Sequence, residues 1–199
     1  MLQSRIQEEL IECGTDEAGR GCLAGPVTAA AVILPPDYDH PILNDSKQLS
    51  TKQRNALRIE IQREAISYQV CHIHPKEIDQ INILKASILA MQRSILQLDP
   101  QPGFIAVDGN KFIELPGKQH QCVIKGDSRY LHIAAASVLA KTYRDEYMAR
   151  IASEFPQYGW ESNKGYPTAS HREAISEFGP TPYHRMSFKL LPTQLKLEL

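Results

Sequence analysis

Four acidic residues, Asp16, Glu17, Asp108 and Asp127, stand where carboxylates are hard to explain as solvated surface groups. Most acids of a globular chain are such surface groups. Asp16, Asp108 and Asp127, however, each follow an apolar, strand-like run and are followed at once or soon by glycine or a turn. If those runs share a sheet, their ends bring three carboxylates together, and Glu17 adds a fourth from the stretch "GTDEAGRG", Gly14 to Gly21. Close carboxylates repel one another, so such a cluster needs cations to offset the repulsion. Oxygen-only ligands, without histidine or cysteine, favour Mg2+ or Mn2+ over zinc. Two such ions about 4 Å apart activate a water and stabilise the leaving oxygen of a phosphodiester, which is nuclease chemistry.

The elements that must position these acids follow from periodicity. "VTAAAVIL" at 27–34, stopped by Pro35–Pro36, predicts a buried strand with which residues 11–16 pair. Ser50 and Gln53 form a capping-box pattern ahead of Leu57, Ile61 and Ala65, an amphipathic helix. "SYQVCHI" at 67–73 alternates like a strand, and Leu84, Ile88, Met91, Ile95 and Leu98 repeat at helical spacing. "FIAVD" at 104–108 and "QCVIKGD" at 121–127 are short apolar runs ending on aspartate, and "IAAASVLAK" at 133–141 predicts a helix packed tightly on a sheet. After the loop "FPQYGWESNKGYPT", Ser170 and Glu173 match a second capping box, and Gly179–Pro180 closes that helix. The alternation of strands and helices is an α/β pattern without internal repeats. The last residues, "LPTQLKLEL", read as a loosely attached tail.

At 199 residues and 42% hydrophobic content the chain suffices for one domain, 1–199. A net charge of −1 excludes a strongly basic coating protein but not a local basic face. Nine lysines and arginines against six acids between residues 111 and 172 are consistent with such a face, or with ordinary solvated surface. Acids in the first ten residues and the short apolar runs argue against a leader or a membrane span, so a cytoplasmic location is expected. Cys13, Cys22, Cys71 and Cys122 lack the spacing of a zinc site or disulfide framework and read as reduced, mostly packed thiols.

Taken together, "GTDEAGRG", "NDSKQLS", "VDGN", "KGDSRYLHIAAASVLAKTYRDEYM", "KGYPT" and "HRMSF" resemble the type 2 ribonuclease H family in its bacterial form, over residues 14 to about 188. The resemblance implies a ribonuclease H-like fold, a mixed β-sheet flanked by helices, with a small C-terminal helical part from about 155. It implies endonucleolytic cutting of RNA in RNA–DNA hybrids or at ribonucleotides embedded in duplex DNA, by a monomer using Mg2+ or Mn2+ and no membrane. It makes Asp16, Glu17, Asp108 and Asp127 the metal-binding catalytic acids, gives Gly19, Arg20 and Gly21 contact with the ribose, stacks Tyr166 on the sugar beside the junction, and makes Ser46 and Lys47 phosphate contacts. Cys22 replaces the proline usual in the family after Gly-Arg-Gly, an exchange expected to loosen the turn. Gln48 replaces a second lysine, an exchange expected to weaken backbone binding slightly.

Asp145, four residues after Lys141 on a helix, is expected to form an intrahelical ion pair and stays outside the catalytic set. His72 and His74 are read as strand-edge residues without a third metal ligand. Tyr158 and Trp160 either stack on bases or anchor their loop. Two other functions compete. A non-catalytic RNA–DNA junction-binding protein has no use for four converging acids. A glycosidase would draw its carboxylate pair from separated positions and leave Asp108 and Asp127 idle.

Overall fold

The computed structural model describes residues 2–191. Its centre is one five-stranded mixed sheet built from β1 (Glu12–Ala18), β2 (Val27–Ile33), β3 (Ser67–Ile73), β4 (Phe104–Asp108) and β5 (Gln119–Val123), in the order β3-β2-β1-β4-β5. β1, β2 and β3 form an antiparallel meander, while β4 and β5 run parallel to β1. The helices are α1 (Thr51–Glu64), α2 (Pro75–Ile81), α3 (Ile83–Leu96), α4 (Leu131–Glu154), α5 (Trp160–Asn163) and α6 (Ala169–Phe178).

Every residue of β2 is buried because both faces of the sheet are covered, so this strand reads as a continuous apolar run rather than an alternating one. Val27, Ala29, Ala31 and Ile33 pack with Ile88, Met91 and Ile95 of α3, whereas Ala30 and Val32 pack with Leu57 and Ile61 of α1 and with α4. The small face of α4, Ala134 to Ala136 and Ala140, lets it lie close to the strands. The contact is closest at Gly14, where a Cβ would come within 2.3 Å of the His132 backbone. Two residues beyond that point lies Asp16, so the seating of α4 on Gly14 fixes the strand end that carries it.

A third apolar cluster joins Leu23, Ala24 and the end of α4 to Tyr158, Trp160, Ala174, Ile175 and Leu190. Trp160 is fully buried and stacks on Tyr158 at 5.0 Å between ring centroids. Both aromatics anchor their loop, and neither faces bases.

The capping box of α1 is present as read, with Gln53 N–H donating to the Ser50 hydroxyl. That of α6 is not. Thr168, not Ser170, is the N-cap and accepts from His171 N–H, since the helix begins two residues earlier than the Ser170–Glu173 spacing implies. α2, opened by Pro75, went unread because its seven residues give too short a period to stand out. β5 covers 119–123, not 121–127. It is an edge strand with alternately exposed residues, and its chain then turns through a 3₁₀ helix, Gly126–Ser128, that carries Asp127. The tail from residue 192 lies outside the described residues.

Candidate active site

β1 and β4 are parallel neighbours paired at Thr15 and Val107, so Asp16 and Asp108 sit side by side one step further on, at the ends of adjacent strands. Glu17 follows Asp16 on β1. Asp127 arrives from the 3₁₀ turn, which is tied to β4 by a hydrogen bond from Gly126 N–H to Asp108 Oδ1, 2.7 Å. All four acids converge at one end of the sheet.

The electrostatics record the crowding. Asp16 is buried, and burial followed by repulsion from Glu17 and Asp108 holds its carboxyl well above the usual range. Burial also raises Glu17, with Arg20 pulling the other way at 3.1 Å. Burial, then Asp108 and Asp45, push Asp127 up to about 6. Lys47 is lowered by partial burial, yet Asp45, Asp127, Asp16 and Asp108 carry it above its ordinary value. Its ammonium lies 3.8 Å from Asp45 Oδ1 and 3.7 Å from Asp127 Oδ2. Beside the acids lies a cleft of ≈ 170 Å³ lined by Glu17, Arg20, Asp108, Asn110 and Lys111.

Among the described residues no three His, Cys, Asp or Glu side chains form a ready-made metal cage. The donors nevertheless fit a hard divalent cation. They are all oxygens, they repel one another, and Glu17 Oε2 is buried with no hydrogen-bond partner. An orphaned buried carboxylate oxygen costs free energy unless a cation or donor meets it.

The turn after β1 is held from below. Gly19 has φ +90°, and a Cβ on it would fall 1.9 Å from Arg144 Nε. Gly21 has open space where its Cβ would be. Cys22 donates its N–H to Gly19 O at 3.4 Å, a bond that proline could not make. Arg144, counted among the basic-face residues, is fully buried and donates to Pro26 O, Ala24 O and Lys164 O.

Tyr166 is 40% exposed; its ring lies 5.9 Å from the Arg144 guanidinium carbon, and its hydroxyl meets the buried Cys22 thiol. Its carbonyl accepts from His171 Nδ1 at 2.9 Å. Since Trp160 Nε1 donates to His171 Nε2, the proton of that imidazole sits on Nδ1. Ser46 is buried and shares a hydrogen bond with Ser137, while Arg54 grips Ser46 O and Leu49 O, so the loop is pinned beneath the exposed Lys47.

The other residues singled out in the sequence fall outside this centre. Asp145 pairs with Lys141 at 2.5 Å. His72 hydrogen-bonds Thr28, with its ring centroid 6.4 Å from that of His74, and the two hold no third ligand. The roles of the half-buried Arg54 and the buried Ser137, Arg144 and Arg185 in shaping the site were not legible, because a charge count cannot distinguish a buried guanidinium from a surface one. Only "HRMSF" carried a signal for Arg185.

Parallel strand ends that gather carboxylates at a cleft define the class: an α/β metal-dependent nuclease. The ribonuclease HII family matches residues 13–191. A ribonuclease HII of Bacteroides fragilis (strain YCH46) is 60% identical over 191 residues, 96% of this chain and 95% of that protein. The structure of an Archaeoglobus fulgidus ribonuclease HII, solved in complex with PCNA, is 26% identical with a TM-score of 0.76, covering 96% of this chain and 98% of that one. A ribonuclease HIII, Bst-RNase HIII, solved in complex with Mn2+, shares the fold with a TM-score of 0.70 at 17% identity, covering 90% of this chain and 67% of that one. The chain belongs to the ribonuclease HII family and is a ribonuclease H endonuclease. Among the described residues no helix is long and apolar enough to cross a membrane.

Proposed function

We propose that Asp16, Glu17, Asp108 and Asp127 are the catalytic acids of this enzyme and hold divalent cations, Mg2+ or Mn2+, at the end of the sheet. The observation that carries this reading is the convergence of four carboxylates at one sheet end, where burial holds Asp16, Glu17 and Asp127 above their ordinary range and Asp108 adds its charge beside them. Bound cations would supply Lewis-acid activation at a phosphodiester.

The chain's own residues do the rest. Lys47, exposed and held over Asp127, supplies a positive charge to a phosphate of the backbone. Ser46, which the resemblance made a phosphate contact, is instead buried with its hydroxyl on Ser137, and serves by fixing the loop that presents Lys47. The Gly19–Arg20–Gly21 turn meets the ribose with main-chain groups, which approach a 2′-hydroxyl closely where no Cβ intervenes. Arg20 also sits against Glu17 and links the turn to the acids. Tyr166 offers its exposed ring to the sugar beside the junction.

The substrates on this reading are RNA–DNA hybrids and duplex DNA carrying ribonucleotides, cut by a cytoplasmic monomer. The catalytic domain spans 1–199, with an extension from about 155 whose described residues close the third apolar cluster. The test is incubation of the pure protein with labelled duplexes carrying zero, one or many ribonucleotides, with and without divalent cation. Cutting confined to ribonucleotide-containing duplexes plus cation supports the reading, and cutting of the all-DNA duplex overturns it.

A further inference from the structure

Arg185 is fully buried, on a segment whose Ala24–His184 bridge, together with hydrogen bonds from Gly25 N–H to Tyr183 O and from Arg185 N–H to Leu23 O, lays it along the turn after β1. All three nitrogens of its guanidinium donate to main-chain carbonyls: Nε to Gly25 O at 3.0 Å, one terminal nitrogen to Arg20 O at 2.9 Å and the other to Gly19 O at 2.8 Å. Its burial draws the pKa down to about 10, so the group is still cationic at neutral pH. A planar fork of fixed donors can hold carbonyls in this way where a lysine ammonium cannot.

Which way the gripped peptides face follows from covalent geometry. In a trans peptide the C=O and N–H point in opposite directions. Gly19 O and Arg20 O belong to the peptide units whose N–H groups are those of Arg20 and Gly21. With both carbonyls drawn inward onto Arg185, both N–H groups point outward. Arg20 and Gly21 are exposed, and neither amide has an acceptor among the described residues. The cation also polarises both units, which strengthens their N–H donors.

We propose that Arg185 is the specificity-positioning residue of the enzyme: by holding the Gly19 and Arg20 carbonyls from the buried side, it aims the Arg20 and Gly21 amides at the 2′-hydroxyl of a ribonucleotide. The inference rests on the ribose-reading role given to this turn above. A site whose buried or oriented polar groups are left unpaired by a deoxyribose discriminates by on the order of 10⁴-fold, and the brace keeps that penalty intact by preventing the amides from turning to other partners.

The experiment records amide spectra of the parent protein without divalent cation, with a duplex carrying one ribonucleotide and with its all-DNA counterpart. The Arg20 and Gly21 resonances are expected to shift with the first and stay nearly in place with the second. Arg185→Lys is then examined in parallel. It should lose this difference and lose at least 30-fold in kcat on the one-ribonucleotide duplex, while its affinity for all-DNA duplex stays within about twofold of the parent. Parent amides that respond equally to both duplexes overturn the proposal even if Arg185→Lys does not fold, and so does an Arg185→Lys enzyme with parental kcat. A parent that does not cut the ribonucleotide duplex at all breaks the functional reading instead.

Discussion

The backbone N–H of Gly126 donates to Oδ1 of Asp108 over 2.7 Å, so the turn that carries Asp127 is latched to the strand that carries Asp108. Asparagine at 108 keeps an acceptor oxygen for this latch and discards the charge. Asp108→Asn is therefore expected to abolish cleavage while retaining the fold, and in metal-free buffer to melt slightly higher because one of several crowded negative charges is gone. Asp108→Ala loses the latch as well and should fall about 1 kcal/mol below Asp108→Asn. Thermal melts with and without chelator check both. A clear loss of melting temperature for Asp108→Asn without metal would show the carboxylate to be structural.

The two glycines of the turn are expected to fail in different ways. Gly19 has a positive φ and no room beside Arg144, so Gly19→Ala should destabilise the protein by at least about 2 kcal/mol. Gly21→Ala meets open space and should fold like the parent, yet cut a single embedded ribonucleotide worse than Arg20→Ala, whose lost charge mainly weakens binding and flattens its salt dependence. Single-turnover cutting at two salt concentrations separates them. If Gly21→Ala cuts like the parent while Arg20→Ala is dead at both salts, the side chain reads the sugar.

Tyr166→Phe should keep much of the activity, since the ring stays and only the hydroxyl contact with Cys22 is lost. Tyr166→Ala should lose roughly 1–3 kcal/mol of stacking. Equal activity of all three proteins on a one-ribonucleotide duplex would remove this tyrosine from the site.

His184 is buried against His171, with Thr181 N–H donating to its Nδ1, and burial lowers its pKa to about 4. Its unfolded value is near 6.5, so between pH 6.5 and 4 the unfolded chain binds the extra proton and stability falls as pH falls. His184→Asn keeps an acceptor for Thr181 and cannot titrate. Denaturant melts at pH 7 and pH 4.5 should show a smaller loss for His184→Asn than for the parent, and an equal loss would mean that His184 is not held neutral.

The sequence revealed the acids because the ends of the runs before Asp16 and Asp108 are marked by a change from apolar to polar residues, while β2 was legible as a continuous apolar run and β3 by its alternation. Asp127 was placed at the right end of the sheet for a partly wrong reason: its apolar run leaves the edge strand at Val123, and a 3₁₀ turn makes the approach. The undersurface of the site was not legible. Arg144 and Arg185 look like any surface arginine until the carbonyls of residues 19 to 26, with Lys164 O, close around them, and those partners lie more than 100 residues away except Lys164, 20 away. Likewise Trp160 and Tyr158 could be assigned to the core only once α6 and His184 packed on them.

The most direct measurement of the central claim is a Mn2+ titration, followed by electron paramagnetic resonance, of the parent and of Asp16→Asn, Glu17→Gln, Asp108→Asn and Asp127→Asn, each also assayed for single-turnover incision of a one-ribonucleotide duplex. If the four carboxylates are one metal centre, every variant binds Mn2+ more weakly than the parent and loses at least 100-fold in incision. A variant that stays folded, binds Mn2+ like the parent and cuts at the parental rate would contradict that assignment.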